Sequence, residues 1–119
     1  VQDFRKLKVW QKAHAATLSV YIATEKFPAG ERYGLTSQMR RAASSIAANI
    51  AEGCGRSSDA DFGRFLYHAM GSASELEYFL LLARDLKFLD KMPHEQITAD
   101  TQEIKRMLTS LIAKLTADG

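Results

Sequence analysis

The 119 residues are 46% apolar and 25% charged, with two prolines, seven glycines and one cysteine, which is the composition and length of one globular domain. A net charge of +2 argues against a dedicated, strongly basic nucleic-acid binder while leaving room for a local basic patch. The single Cys54 excludes an intrachain disulfide. The longest apolar run, Phe79 to Ala83, is far short of a membrane span, and the charged start is not followed by the apolar stretch of a signal peptide; the expectation is a soluble cytoplasmic protein with no membrane role.

Phe4 to Lys26 reads as the first helix, with Asp3 as its N-cap. Leu7, Trp10, His14, Leu18 and Tyr21, with Thr17 and Ile22 beside them, recur at helical spacing and are taken as its inner stripe. Phe27-Pro28-Ala29-Gly30 ends it, because proline biases its predecessor away from helix.

The second helix, 35–53, is built of small residues. Leu35, Met39, Ala42, Ala43, Ile46, Ile50 and Cys54 share one face. Ser37, Arg41, Ser45, Asn49 and Glu52 form a polar stripe beside it. Ser and Asn are weak helix formers, so that stripe suggests a helix held on two sides. Gly53 and Gly55 are expected to end it through the left-handed conformation that glycine adopts without penalty.

Ser58 caps the third helix, 59–86, in a Ser58-Asp59-Ala60-Asp61 capping-box pattern. Phe62, Phe65, Leu66, Ala69, Ala73, Leu76, Leu80 and Ala83 make its inner face. Tyr67, Tyr78, Phe79 and Leu82 add bulk around its sides, more than one core covers, and are candidates for an oligomer interface. Pro93 is placed at the first position of the fourth helix, 94–116, whose inner face is Ile97, Thr101, Ile104, Leu108, Leu111 and Leu115. Four helices of similar length joined by short connections imply an all-α, antiparallel up-down-up-down four-helix bundle spanning residues 1–119.

The stretches FRKLKVWQKA (Phe4–Ala13), FPAGERYGLTSQMRRAASSIAANIAEG (Phe27–Gly53), Arg56 and GSASELE (Gly71–Glu77) resemble the small four-helix proteins known as 23S ribosomal RNA intervening-sequence proteins. The similarity spans essentially the whole chain. It implies closed, ring-like homopentamers. Relatives include the accessory protein of diversity-generating retroelements, so the resemblance also implies a nucleic-acid partner.

Charge is unevenly placed. Residues 1–12 carry Arg5, Lys6, Lys8 and Lys12 against Asp3, and residues 32–56 carry Arg32, Arg40, Arg41 and Arg56 against Glu52. Arg5, Lys6, Lys8, Lys12, Arg40 and Arg56 are therefore the candidate contacts to RNA or DNA. Gly55-Arg56-Ser57-Ser58 could hold a phosphate at a helix start, although Asp59 and Asp61 favour simple capping. Arg41, Asn49 and Glu52 on the second helix, with Arg64 and Glu75 on the third, are candidates for a buried polar network within or between subunits.

No chemistry emerges beside these. No Glu has His three residues on, so the di-iron pattern of helical bundles is missing. His14 and His68 read as packed or hydrogen-bonded side chains and Cys54 as a small buried thiol. The expectation is a non-enzymatic oligomer without cofactor or metal that binds nucleic acid through repeated basic patches. The alternative is a scaffold ring that docks a protein.

Overall fold

The computed structural model describes residues 2–117. Four helices form the body: α1 (Lys8–Thr24), α2 (Leu35–Cys54), α3 (Asp59–Asp85) and α4 (Lys91–Ala117). Two short 3-10 turns, Phe4–Lys6 and Ala29–Glu31, precede α1 and α2, and no strand occurs among the described residues. Neighbouring helices run antiparallel. α1 packs on α2 and α4, and α3 packs on the same two, so α1 and α3 stand at diagonal corners of a body 46 × 22 × 20 Å.

Each helix start has a local cause. The Asp3 carboxylate accepts the Arg5 N–H at 3.0 Å, but it caps only the 3-10 turn. Leu7 is extended (ψ 126°), so the first helix begins at Lys8 rather than at Phe4. Gly34 offers α2 no capping side chain, and Glu31 Oε1 instead accepts the Leu35 N–H at 3.1 Å. Ser58 Oγ accepts the Asp61 N–H at 3.1 Å as expected, whereas the Asp61 carboxylate turns outward to Arg64. α4 starts three residues earlier than the sequence suggested. Pro93 is its third residue, still inside the first turn, where its missing N–H has no helical acceptor to lose.

The helix ends differ more from expectation. Gly55 is right-handed (φ −83°), and none of the described glycines has positive φ. Gly53 serves a different purpose. A Cβ placed there would lie 2.8 Å from Phe62 Cδ1 and 3.1 Å from Phe65 Cβ, so the missing side chain is what lets α3 cross close to α2. At Gly55 a Cβ would meet only the Glu52 carbonyl, at 3.4 Å. Gly53→Val is therefore expected to cost about 2 kcal/mol by overpacking. Gly55→Ala should instead leave stability equal or up to ~1 kcal/mol higher. Urea unfolding of both variants checks the contrast.

The left-handed position is at the end of α3, on Lys87 (φ 65°). The Lys87 N–H reaches the Arg84 carbonyl and the Phe88 N–H the Ala83 carbonyl, each at 2.9 Å, which is a Schellman closure with lysine where glycine is usual. Lys87→Gly should raise stability by about 1 kcal/mol, read as an increase in the urea midpoint.

The core runs the length of the body, with Met39, Ile46, Ile50, Leu66, Leu76, Leu80, Ile104 and Leu108 almost wholly buried. Inner faces of α2 and α3 follow the sequence pattern, and α4 follows it through Leu108; beyond that Ile112 is buried, while Leu111 and Leu115 are half-buried against the core. α1 does not. Its buried residues are Val9, Ala13, Ala16, Thr17, Val20 and Thr24. Leu18 (53% exposed), Tyr21 (43%) and Ile22 (67%) face outward, with His14. The reason is close packing: small residues are buried on both helices, Ala13 and Ala16 on α1 and Ala42, Ala43 and Ala47 on α2, and the Thr17 hydroxyl lies near the Ala13 and Ala43 carbonyls, at 2.8 and 3.1 Å. The larger side chains are left for the outside.

Candidate nucleic-acid interface

The basic residues at the start of α1 are partly spoken for. Arg5 pairs with Asp3 at 3.3 Å, and Lys12 donates to Glu103 on α4 at 2.8 Å. That hydrogen bond raises the Lys12 pKa and holds the Glu103 carboxyl below its usual range. Arg56 pairs with Glu52 one turn back at 2.9 Å and lies over the Phe65 ring at 4.7 Å. Lys6 and Lys8 are exposed and have no carboxylate partner among the described residues.

A denser constellation lies between α1 and the first turns of α2, in a depression of about 450 Å³. Arg32, Arg40 and Arg41 line it with Tyr21, Tyr33 and the hydroxyls of Thr36, Ser37 and Ser44. Arg40 is braced: its Nε donates to Thr24 Oγ1 at 2.9 Å and its Nη2 to the Tyr21 carbonyl at 3.3 Å, while its guanidinium lies 4.6 Å from the Tyr21 ring centre. Arg32 lies 5.6 Å from the centre of the Tyr33 ring, which is 88% exposed. None of the three arginines pairs with a carboxylate among the described residues. Glu31, beside them in sequence, is turned to cap α2. Of this cluster the sequence points to Arg40 alone as a contact, since the helical period puts Tyr21 in the core stripe and Arg41 in a buried network; the signal for the rest is the run of arginines with few acids beside them.

The buried network does not form within the chain. Arg41, Glu52, Arg64 and Glu75 are exposed and Asn49 is half-buried. Their bonds are to residues three or four positions away in the chain: Asn49 Nδ2 to the Ser45 carbonyl at 2.8 Å, Arg56 to Glu52, and Arg64 to Asp61 at 3.2 Å.

Large apolar side chains stand on the outward faces of α1 and α3. On α3, Tyr67 (61% exposed) and Tyr78 (56%) stand outward. Phe79 and Leu82, read with them as interface residues, are half-buried against the chain's own core. On α1 the outward residues are Leu18 and Ile22. These two patches occupy diagonal corners.

The remaining reactive groups are quiet. His14 is exposed, not packed inside, and stacks on Trp10 at 4.9 Å with the rings 7° from parallel. His68 is exposed beside Phe65. Cys54 is buried, and burial pushes its thiol pKa up, away from thiolate chemistry. Among the described residues, no three His, Cys, Asp or Glu side chains converge as metal ligands, and no helix is long and apolar enough to cross a membrane.

One ion pair fastens α3 to α4 and sets a pH dependence. Glu77 accepts hydrogen bonds from Gln102 and Lys105, both at 3.0 Å, and these hold its carboxyl below the usual range. A depressed carboxylate pKa adds stability above the unfolded value, about 4.3, and that stability is lost as pH falls through the folded value. Glu77→Gln should cost about 0.5–1 kcal/mol at neutral pH and nothing once the native carboxylate is protonated. Urea midpoints across the acid range check this.

The family model described as 23S rRNA-intervening sequence protein matches residues 5–110. The fold is similar to the crystal structure of a protein of unknown function from the S23 ribosomal protein family of Bacteroides thetaiotaomicron. The TM-score is 0.79 at 29% identity, over 87% of this chain and 97% of that one. No curated protein matches the chain.

Proposed function

Since the chain belongs to the 23S rRNA-intervening sequence protein family, we propose that it is a non-enzymatic, cytoplasmic homo-oligomer that binds nucleic acid through basic surfaces repeated around the assembly. The observation that carries this reading is a concentration of exposed cations without carboxylate partners among the described residues: Lys6, Lys8, Lys26, Arg32 and Arg41 fall within the first 41 residues, whereas Lys87, Arg106 and Lys114 are scattered over the rest. Each copy in an oligomer presents the same cations, and multivalency multiplies modest contacts.

The apolar corners support the assembly. The α1 patch (Leu18, Ile22) and the α3 patch (Tyr67, Tyr78) differ from one another and lie on opposite corners. Two unlike patches on one subunit join head to tail, and such contacts generate a ring if the rotation closes. The resemblance described above puts the number at five.

A binding titration against RNA and DNA at several salt concentrations tests the reading. The logarithm of the affinity should fall linearly with the logarithm of salt. The double variant Lys6→Gln/Lys8→Gln should flatten the slope by about two units. If the native protein binds neither polymer at low salt, the nucleic-acid reading fails and a protein-docking ring takes its place.

A further inference from the structure

We propose that the depression between α1 and α2 is a site for single-stranded nucleic acid, in which Tyr33 and Tyr21 stack on unpaired bases while Arg32, Arg40 and Arg41 hold the flanking phosphates. The inference rests on the nucleic-acid reading above and deepens it by naming the strand state and the site.

Three observations converge on that ligand. The first is the ring of Tyr33, 88% exposed on a soluble surface. It lies too far out to contribute to the core, and an aromatic ring held this open offers a face on which a base can stack. Tyr21, 43% exposed, lines the same depression. The second is the arrangement of cations. Each tyrosine has a guanidinium at its ring, Arg32 at 5.6 Å and Arg40 at 4.6 Å. A planar guanidinium continues the stacking surface and binds phosphate through two parallel N–H bonds. Arg40 uses its Nε and one Nη2 hydrogen on Thr24 and the Tyr21 carbonyl, which fixes its plane before any ligand arrives and leaves its other donors for the ligand. The third is the absence, among the described residues, of a carboxylate partner for any of the three arginines, while Glu31 is committed to the Leu35 N–H.

A duplex does not use this site well. Its bases are stacked inside the double helix, out of reach of tyrosine rings on the protein's surface. Its phosphates would engage the arginines but leave both rings idle. An acidic peptide would likewise use the arginines alone. Only an unpaired strand brings phosphates and free base faces together at the spacing of neighbouring side chains.

The test is fluorescence anisotropy with short labelled oligothymidylate and oligouridylate, and with a hairpin duplex of the same charge. The native protein should bind both single strands more tightly than the hairpin; the ratio between the two strands tells DNA from RNA. Tyr33→Ala should weaken single-strand binding about tenfold without altering the salt slope, because stacking releases no counterion. Tyr33→Phe should restore it. Arg41→Gln should weaken strand and hairpin alike and flatten the slope by about one unit. If Tyr33→Ala binds oligothymidylate as the native protein does, or polyglutamate competes as well as a single strand, the site is wrong. Binding of the hairpin that depends only on Lys6 and Lys8 would sink this site and leave the broader reading intact; no binding of any strand would sink both. A change of mass in the Tyr33→Ala protein would place Tyr33 in a subunit interface and likewise overturn the proposal.

Discussion

Ile22→Lys and Tyr78→Lys should each reduce the proposed assembly to single subunits without unfolding them. Both side chains are more than half exposed in the isolated chain, at 67% and 56%, so neither substitution opens a hole in the core. At a subunit contact the new ammonium would instead be taken out of water opposite an apolar patch, which costs several kcal/mol. Lysine suits position 22 because it lies in the last turns of α1, where a cation complements the helix dipole. Helical circular dichroism should therefore be unchanged while the mass by light scattering falls to one subunit. Mixing the two variants gives a sharper outcome. Each keeps one intact patch, and in a head-to-tail assembly the two intact patches fit each other. The mixture should form a capped pair of one copy of each, and no larger species. If each variant alone dimerises, the contact is two-fold and the ring is excluded; native protein of one-subunit mass removes the assembly altogether. A charge at Phe79, another of the interface candidates, would confuse the result, because Phe79 also packs on its own core.

Leu76→Ala should do the reverse, lowering stability without changing mass in the remaining folded population. Leu76 is fully buried (0% exposed) at the middle of α3, facing the shared core. Its truncation loses the transfer free energy of the removed carbons and leaves a cavity that long packed helices close only partly. The expected cost is about 3 kcal/mol, within the 2–5 kcal/mol range for such changes. For a domain near this size that lowers the melting temperature by roughly 10–20 °C. Stability of small domains is of order 5–15 kcal/mol, so the variant still folds at room temperature. Loss of mass with an unchanged melting profile in this variant would show that Leu76 is not where the core places it.

Much of the fold was legible because large apolar residues on α2, α3 and α4 fall on one face each, with polar residues opposite. Leu66, Leu76, Leu80, Ile104 and Leu108 were read as inner residues and are fully buried. Ser58 was read as a cap and accepts the Asp61 N–H. α1 misled because both of its faces are apolar. Period alone weights Trp10, Leu18 and Tyr21 above Ala13, Ala16 and Val20, although the smaller residues are the ones that allow α2 to approach. The glycines misled for a related reason. A glycine near a helix end suggests positive φ, but Gly53 answers to Phe62 and Phe65 across the α2–α3 contact, a constraint with no local signature. The left-handed residue was Lys87, which carries none of the usual marks.

The sequence by itself determined the helix count, most of the inner faces and the concentration of positive charge in the first half of the chain, since those depend on periodicity and composition. Only the tertiary structure decided which cations remain open. It paired Arg5, Lys12 and Arg56 with Asp3, Glu103 and Glu52, of which Glu103 lies on a different helix. It also brought Tyr21 from α1 beside Arg32, Tyr33, Arg40 and Arg41. Ion pairing and stacking depend on distances of a few ångströms between helices, and those distances are set by how alanines and glycines let the helices close, which no one-dimensional pattern records.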